Sequence, residues 1–106
     1  MIDTESVEAA IRSIAESNGA RLALLFGSYA RGTQTERSDV DVIFVEDTSA
    51  RFLDRLAKYF DPLSRRLPVP VEVFVYTPDE FRRMRDRPFL RRALAEGTSV
   101  YEQGEL

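Results

Sequence analysis

The sequence predicts an α/β fold with a small mixed β-sheet flanked by helices. Three observations carry that reading. Apolar runs at 21–26, 39–46 and 71–76 have the length and residue types of strands. Around them lie stretches whose apolar residues recur at helical spacing. The connections then set the pairing: about a dozen residues join the first two runs, which favours antiparallel neighbours, whereas a helix joins the second to the third and predicts a right-handed parallel crossover.

Each element follows from its residues. Residues 5–18 place Val7, Ala10, Ile11, Ile14 and Ala15 on one helical face, with Asp3 or Thr4 as N-cap and Gly19 at the left-handed C-terminal position. The run 21–26 is the first strand and stops at Gly27-Ser28. The polar stretch 28–38 predicts one helical turn and a loop, with no core residue. Along 39–46 the two-residue period sets Asp39, Asp41, Ile43 and Val45 on one face of the second strand. Residues 49–60 align Phe52, Leu53, Leu56, Tyr59 and Phe60 on a helix that Leu63 extends past Pro62. In the third strand, 71–76, Glu72, Phe74 and Tyr76 oppose Val71, Val73 and Val75. Thr77-Pro78-Asp79-Glu80 has the form of a capping box with proline at the first helical position, opening a helix through Phe81 and Met84. Pro88 restarts a helix to Glu96 that turns Leu90 and Leu94 inward, and an edge strand follows Gly97 at 99–102.

At 106 residues the chain has the size of one domain, 1–106, with one core. No window reaches the roughly 20 apolar residues of a spanning helix, and the start MIDTESVEAAIR is acidic where a secretory signal is basic, so no membrane and a cytoplasmic location are expected. A net charge of −3 argues against direct nucleic-acid binding. Of the 15 basic residues all but Lys58 are arginine, a bias that suits phosphate recognition or plain surface solvation. Cysteine and histidine are both absent. That excludes disulfides, thiolate zinc sites, a cysteine nucleophile and the commonest general base. Any catalysis here rests on carboxylates, hydroxyls, arginines and an oxygen-ligated cation.

The predicted topology brings Gly27-Ser28, Asp39-Val40-Asp41 and Glu72 to one edge of the sheet. Carboxylates two residues apart on a strand repel unless a cation or a proton intervenes; the plain alternative is a solvated strand entrance. Glu72 sits in an apolar run, where an unpaired charge is costly unless it faces water. A Gly-Ser turn between strand and helix either ends the strand or offers N–H groups and a hydroxyl to a phosphate. Arg31 and Arg37 flank it and would pair with phosphate oxygens as nucleotide-binding residues, or Arg31 anchors its turn to an acidic neighbour. Tyr29 is exposed beside the site or packed on the turn. A phosphate cradle with three carboxylates is what metal-assisted phosphoryl transfer needs.

Gly27-Ser28, ten residues, then Asp39-Val40-Asp41, within LLFGSYARGTQTERSDVDVIFV, resembles the GSX10DXD signature of the minimal nucleotidyltransferases, members of the DNA polymerase β-like nucleotidyltransferase superfamily. Ala30-Arg31-Gly32 and Ser38 fit as well, and the resemblance extends through Glu72 to the closing SVYE segment. It implies the polymerase β-like fold, with Asp39, Asp41 and Glu72 as catalytic carboxylates binding Mg²⁺, and Gly27 and Ser28 on the phosphates of ATP. It implies transfer of a nucleoside monophosphate to a hydroxyl between two metal ions, with release of pyrophosphate. With no histidine, Glu72 or Asp41 would take the acceptor proton.

Small stand-alone members of that family are antitoxins paired with HEPN-domain RNase toxins, whose tyrosine they AMPylate. The resemblance therefore implies an antitoxin and a HEPN-family partner encoded nearby. With no residues left over for an acceptor-binding domain, the acceptor is expected to dock from outside, with Tyr59, Phe60, Phe89 and Tyr101 as candidate contacts unless they are core. Two other readings stand beside this one: an antitoxin that neutralises its partner by binding alone, and a nucleotidyltransferase acting on a small molecule.

Overall fold

The computed structural model describes residues 2–104. Its strands are β1 (Leu22–Phe26), β2 (Val40–Val45), β3 (Val71–Tyr76) and β4 (Thr98–Glu102), and its helices α1 (Thr4–Asn18), α2 (Ser28–Arg31), α3 (Phe52–Arg66), α4 (Pro78–Met84) and α5 (Pro88–Glu96). The sheet has the order β3-β2-β1-β4. β1 pairs antiparallel with β2 and β4, and β2 pairs parallel with β3, as the connection lengths predicted. The mixed α/β sheet flanked by helices is thus the architecture observed.

Alternation along the strands builds two apolar clusters, one on each face. Val42, Phe44, Val73 and Val75 pack with Val7, Ile11 and Ile14 of α1 and Tyr59 and Leu63 of α3. On the opposite face Leu22, Leu24, Ile43 and Val45 pack with Phe81 of α4 and Leu90 and Ala93 of α5. Both faces of the central strands are covered, so β1 and β2 read as nearly continuous apolar runs. Full burial of each large side chain contributes about 1.5–3 kcal/mol relative to exposure.

The helix ends follow local chemistry. Asp3 caps α1 by accepting the Ser6 N–H at 2.7 Å, and Gly19 closes it with φ 78°. The predicted capping box opens α4, with Thr77 and Glu80 satisfying each other's N–H groups. Pro62 lies inside α3 and has no N–H for the Lys58 carbonyl. Asn18 Nδ2 donates to that carbonyl instead, at 3.0 Å, and so ties the end of α1 to the middle of α3.

Three expectations need correction. α3 begins at Phe52, not at 49, and Phe52 and Leu53 are 62% and 72% exposed. The packed seam runs through Leu56, Tyr59 and Leu63, and the first turn overhangs it. The stretch 28–38 does hold a core residue: Tyr29 is buried, because α2 lays its ring on the α1 side of the sheet. Of the four aromatics considered for partner contact, Tyr59 is core, Tyr101 is half-buried, and Phe60 and Phe89 stay exposed. Among the described residues no helix is long and apolar enough to cross a membrane.

Candidate active site

The site begins where β1 ends. Gly27 takes φ 74° and ψ −155°, a conformation open to glycine and strained for other residues. A Cβ there would also collide with the Asp41 carboxylate, which lies against the turn. Ser28 opens the single turn of α2, in which the Ala30 and Arg31 N–H groups donate back to the Gly27 carbonyl at 3.1 Å.

Strand register assembles the rest. Phe26 is opposite Asp41 across the antiparallel pair, and Asp41 is opposite Glu72 across the parallel one. The Gly-Ser turn, Asp41 and Glu72 therefore lie side by side over three strands. Asp39 stands one residue before β2, exposed at its entrance. The chain is delivered there by a tight loop: the Thr35 N–H donates to Ser38 Oγ at 2.9 Å, and the Ser38 N–H to the Thr35 carbonyl at 3.1 Å. Glu72 is exposed, so of its two sequence readings the solvated one is observed.

These positions set the electrostatics. Burial, then the charges of Glu72 and Asp39, push the Asp41 carboxyl up to about 6, and its hydrogen bond with Glu72 acts in the same sense. Without a cation, Asp41 keeps its proton only up to about pH 6. A hard divalent ion suits such donors, since it would replace that proton and relieve the repulsion. Among the described residues no three acidic side chains stand close enough together to form a ready-made cage. Asp41 and Glu72 stand together, and Asp39 bears on Asp41 through its charge.

Beside them opens a cavity of ≈ 370 Å³. Gly27, Ser28 and Asp41 form one wall. The other belongs to α5, through Phe89, Arg92, Ala93 and Glu96. These positions recur at helical spacing and share a face. The Phe26 and Phe89 rings meet edge to face at 5.6 Å at this wall. Arg31 lines the cavity but reaches across to Glu96 at 3.1 Å, so the anchoring role is the one observed. Arg37 is exposed in the loop before β2 and does not line the cavity; its N–H donates to Thr35 Oγ1 at 3.2 Å. Of these α5 residues the sequence pointed only to Phe89, and to it as a partner contact; Arg92, Ala93 and Glu96 were not expected at the site. The available signal was the recurrence of Phe89, Arg92 and Glu96 on a single helical face.

A family model described as Nucleotidyltransferase domain matches residues 8–101. A protein of Methanocaldococcus jannaschii named "Putative protein adenylyltransferase MJ0604" is 33% identical over 78 residues, covering 74% of this chain and 75% of that protein. In fold, the chain is similar to a crystal structure of a toxin–antitoxin with AMP-PNP, with TM-score 0.68 and 21% identity over 91% of this chain and 73% of that one. A mutant form of the toxin–antitoxin MntA-HpeT gives TM-score 0.67 and 19% identity, again over 91% and 73%. At these identities the two structures speak to fold alone. The family match covers the Gly-Ser turn, the Asp-Val-Asp strand and Glu72 in one span, and with it the chain belongs to the nucleotidyltransferase domain family, as its motif had indicated.

Proposed function

We propose that this protein transfers AMP from ATP to a hydroxyl of a partner protein, a tyrosine of a HEPN-family toxin encoded nearby, and so acts as an antitoxin in the cytoplasm. One observation carries the reading: Asp41 is held between the Gly27 turn and Glu72, among like charges and beside an open cavity. The name of the archaeal relative and the AMP-PNP bound by the similar toxin–antitoxin agree with it.

Asp39, Asp41 and Glu72 would hold Mg²⁺, as two ions, which when bound neutralises phosphate charge and polarises the α-phosphorus. The remaining work belongs to the chain. Gly27 has no side chain between the turn and Asp41, so the triphosphate can approach the backbone closely, and Ser28 offers its hydroxyl to phosphate oxygens. Arg92, which makes no ion pair among the described residues, faces the same cavity and suits the β- and γ-phosphates. Arg31 serves indirectly, by bracing α2 against α5 through Glu96. The acceptor oxygen forms a bond to the α-phosphorus as the bond to pyrophosphate breaks, and the exposed Glu72 carboxylate takes the acceptor proton.

The test is to incubate the chain with Mg-ATP and the product of the neighbouring gene and weigh that product intact. A gain of AMP that Asp41→Asn abolishes is the expected result. A stable complex with unchanged partner mass would replace this reading with neutralisation by binding alone.

A further inference from the structure

We infer that the open edge of β3 is a docking groove for an extended segment of another protein, one that alternates apolar with acidic side chains. β3 is an outer strand, hydrogen-bonded to β2 on one side only. Along it runs a hollow of ≈ 560 Å³, distinct from the cavity at Ser28. Its lining shows where it lies. Val73 and Val75 belong to one face of the sheet and Phe74 and Tyr76 to the other, yet all four line it. A hollow that touches successive residues of a strand follows the strand's edge. Phe52, 62% exposed, closes it on the α3 side, and α4 closes it opposite.

Exposed strand edges are ordinarily blunted by charge, proline or a covering element. Pro70 and the exposed Glu72 blunt the start of this edge, but from Val73 to Tyr76 it carries neither charge nor proline, and Phe52 and α4 flank it, leaving backbone groups open to pair. Such an edge accepts an added strand. Charge selects which one. Glu80 in the groove is already bonded to Arg55 at 2.6 Å and to the Thr77 N–H at 2.9 Å. Arg83 is shared with Asp79 at 3.3 Å, and Arg87 makes no ion pair among the described residues. Among the groove's charged residues Arg87 is thus the one cation without an ion pair among the described residues, and it complements an acidic partner. It also disfavours a second copy of this chain, because β3 paired with β3 about a two-fold axis puts both copies of Arg87 on one face of the joined sheet.

The docking does not depend on the chemistry proposed for Asp41, although the two fit together. Glu72 is two residues from Phe74, roughly 7 Å along the strand, so a segment in the groove leads toward the carboxylates.

A fluorescein-labelled peptide of alternating valine and glutamate, titrated with the full chain and read by anisotropy without nucleotide or metal, tests the inference. Saturable binding is expected, with slowed amide exchange at 71–76, and weakening of at least about tenfold in Phe52→Ser and in Arg87→Glu. The valine–lysine peptide should fail on the native chain and bind the Arg83→Glu, Arg87→Glu double variant, a gain that requires a folded protein. Three results would overturn it: no binding by about 1 mM peptide, equal binding of both peptides, or a concentration-dependent dimer protected at 71–76, which makes the occupant a second copy. Because the assay contains no ATP, its failure leaves AMP transfer standing, and failed transfer leaves the docking standing.

Discussion

Glu46 and Asp41 sit at opposite ends of β2, and their surroundings are opposite too. Glu46 is 7% exposed and fully partnered: Lys58 Nζ donates to both carboxylate oxygens at 2.9 and 3.1 Å, and the Tyr59 hydroxyl donates to one of them. Burial and Glu46 push the Tyr59 phenol up, far above its usual range, so it stays a donor. Asp41 is partly buried as well, yet the charges that act on it most are those of Glu72 and Asp39, which Arg31 only partly offsets. A carboxylate given a cation and a hydroxyl is part of the framework. One set among other carboxylates beside a cavity is poised for a ligand that arrives later.

The sharpest way to break this contrast is to neutralise each group in turn. Asp41→Asn should lower AMP transfer on the order of 10³-fold, whereas Glu46→Gln should leave transfer by the folded fraction unchanged, as read by single-turnover assays. Stability should respond in reverse. Lys58→Met strands Glu46 without its cation and should cost about 2 kcal/mol in urea unfolding, less than for a wholly buried pair because Lys58 is partly solvated.

Asp41→Asn should instead stabilise the metal-free protein, with a definite pH dependence. The Asp41 carboxyl titrates near 6 in the fold and near 3.8 when unfolded, so the folded state binds the proton more tightly. Its stabilising contribution is complete below about 3.8 and is lost as pH rises through about 6. The variant escapes that loss. Its advantage should be about 1 kcal/mol at pH 8 after allowance for solvent screening, should vanish near pH 4, and should shrink when Mg²⁺ is added; thermal melts across this range check it.

The smallest effect separates two tyrosines. Tyr59→Phe removes a donor from buried Glu46 and should cost about 1–2 kcal/mol. The Tyr29 hydroxyl is buried with no protein partner, so Tyr29→Phe should be neutral or slightly stabilising in the same unfolding experiment.

The sheet and the carboxylate pair were legible because strand alternation and connection length are properties of the chain itself. The parallel crossover alone put Glu72 beside Asp41, as the register bears out. The far wall of the cavity was not legible in this way. Arg92 and Glu96 look like any solvated helical face, and Phe89 like a partner contact, until α5 is known to pack against β1 beside Gly27. Phe52 and Leu53 misled for a related reason: their spacing matches a core stripe, and nothing local shows that the first turn of α3 overhangs its seam. Tyr29 was hidden by its polar neighbours, since one buried ring in a single helical turn leaves no periodic trace.

Paramagnetic mapping tests the central claim most directly: titrate Mn²⁺ with a non-hydrolysable ATP analogue into the ¹⁵N-labelled chain and follow amide broadening. The account predicts that Gly27, Ser28, Asp39, Asp41 and Glu72 fade first, and that Asp41→Asn suppresses the effect. Fading that begins elsewhere, or that persists unchanged in the variant, would contradict it.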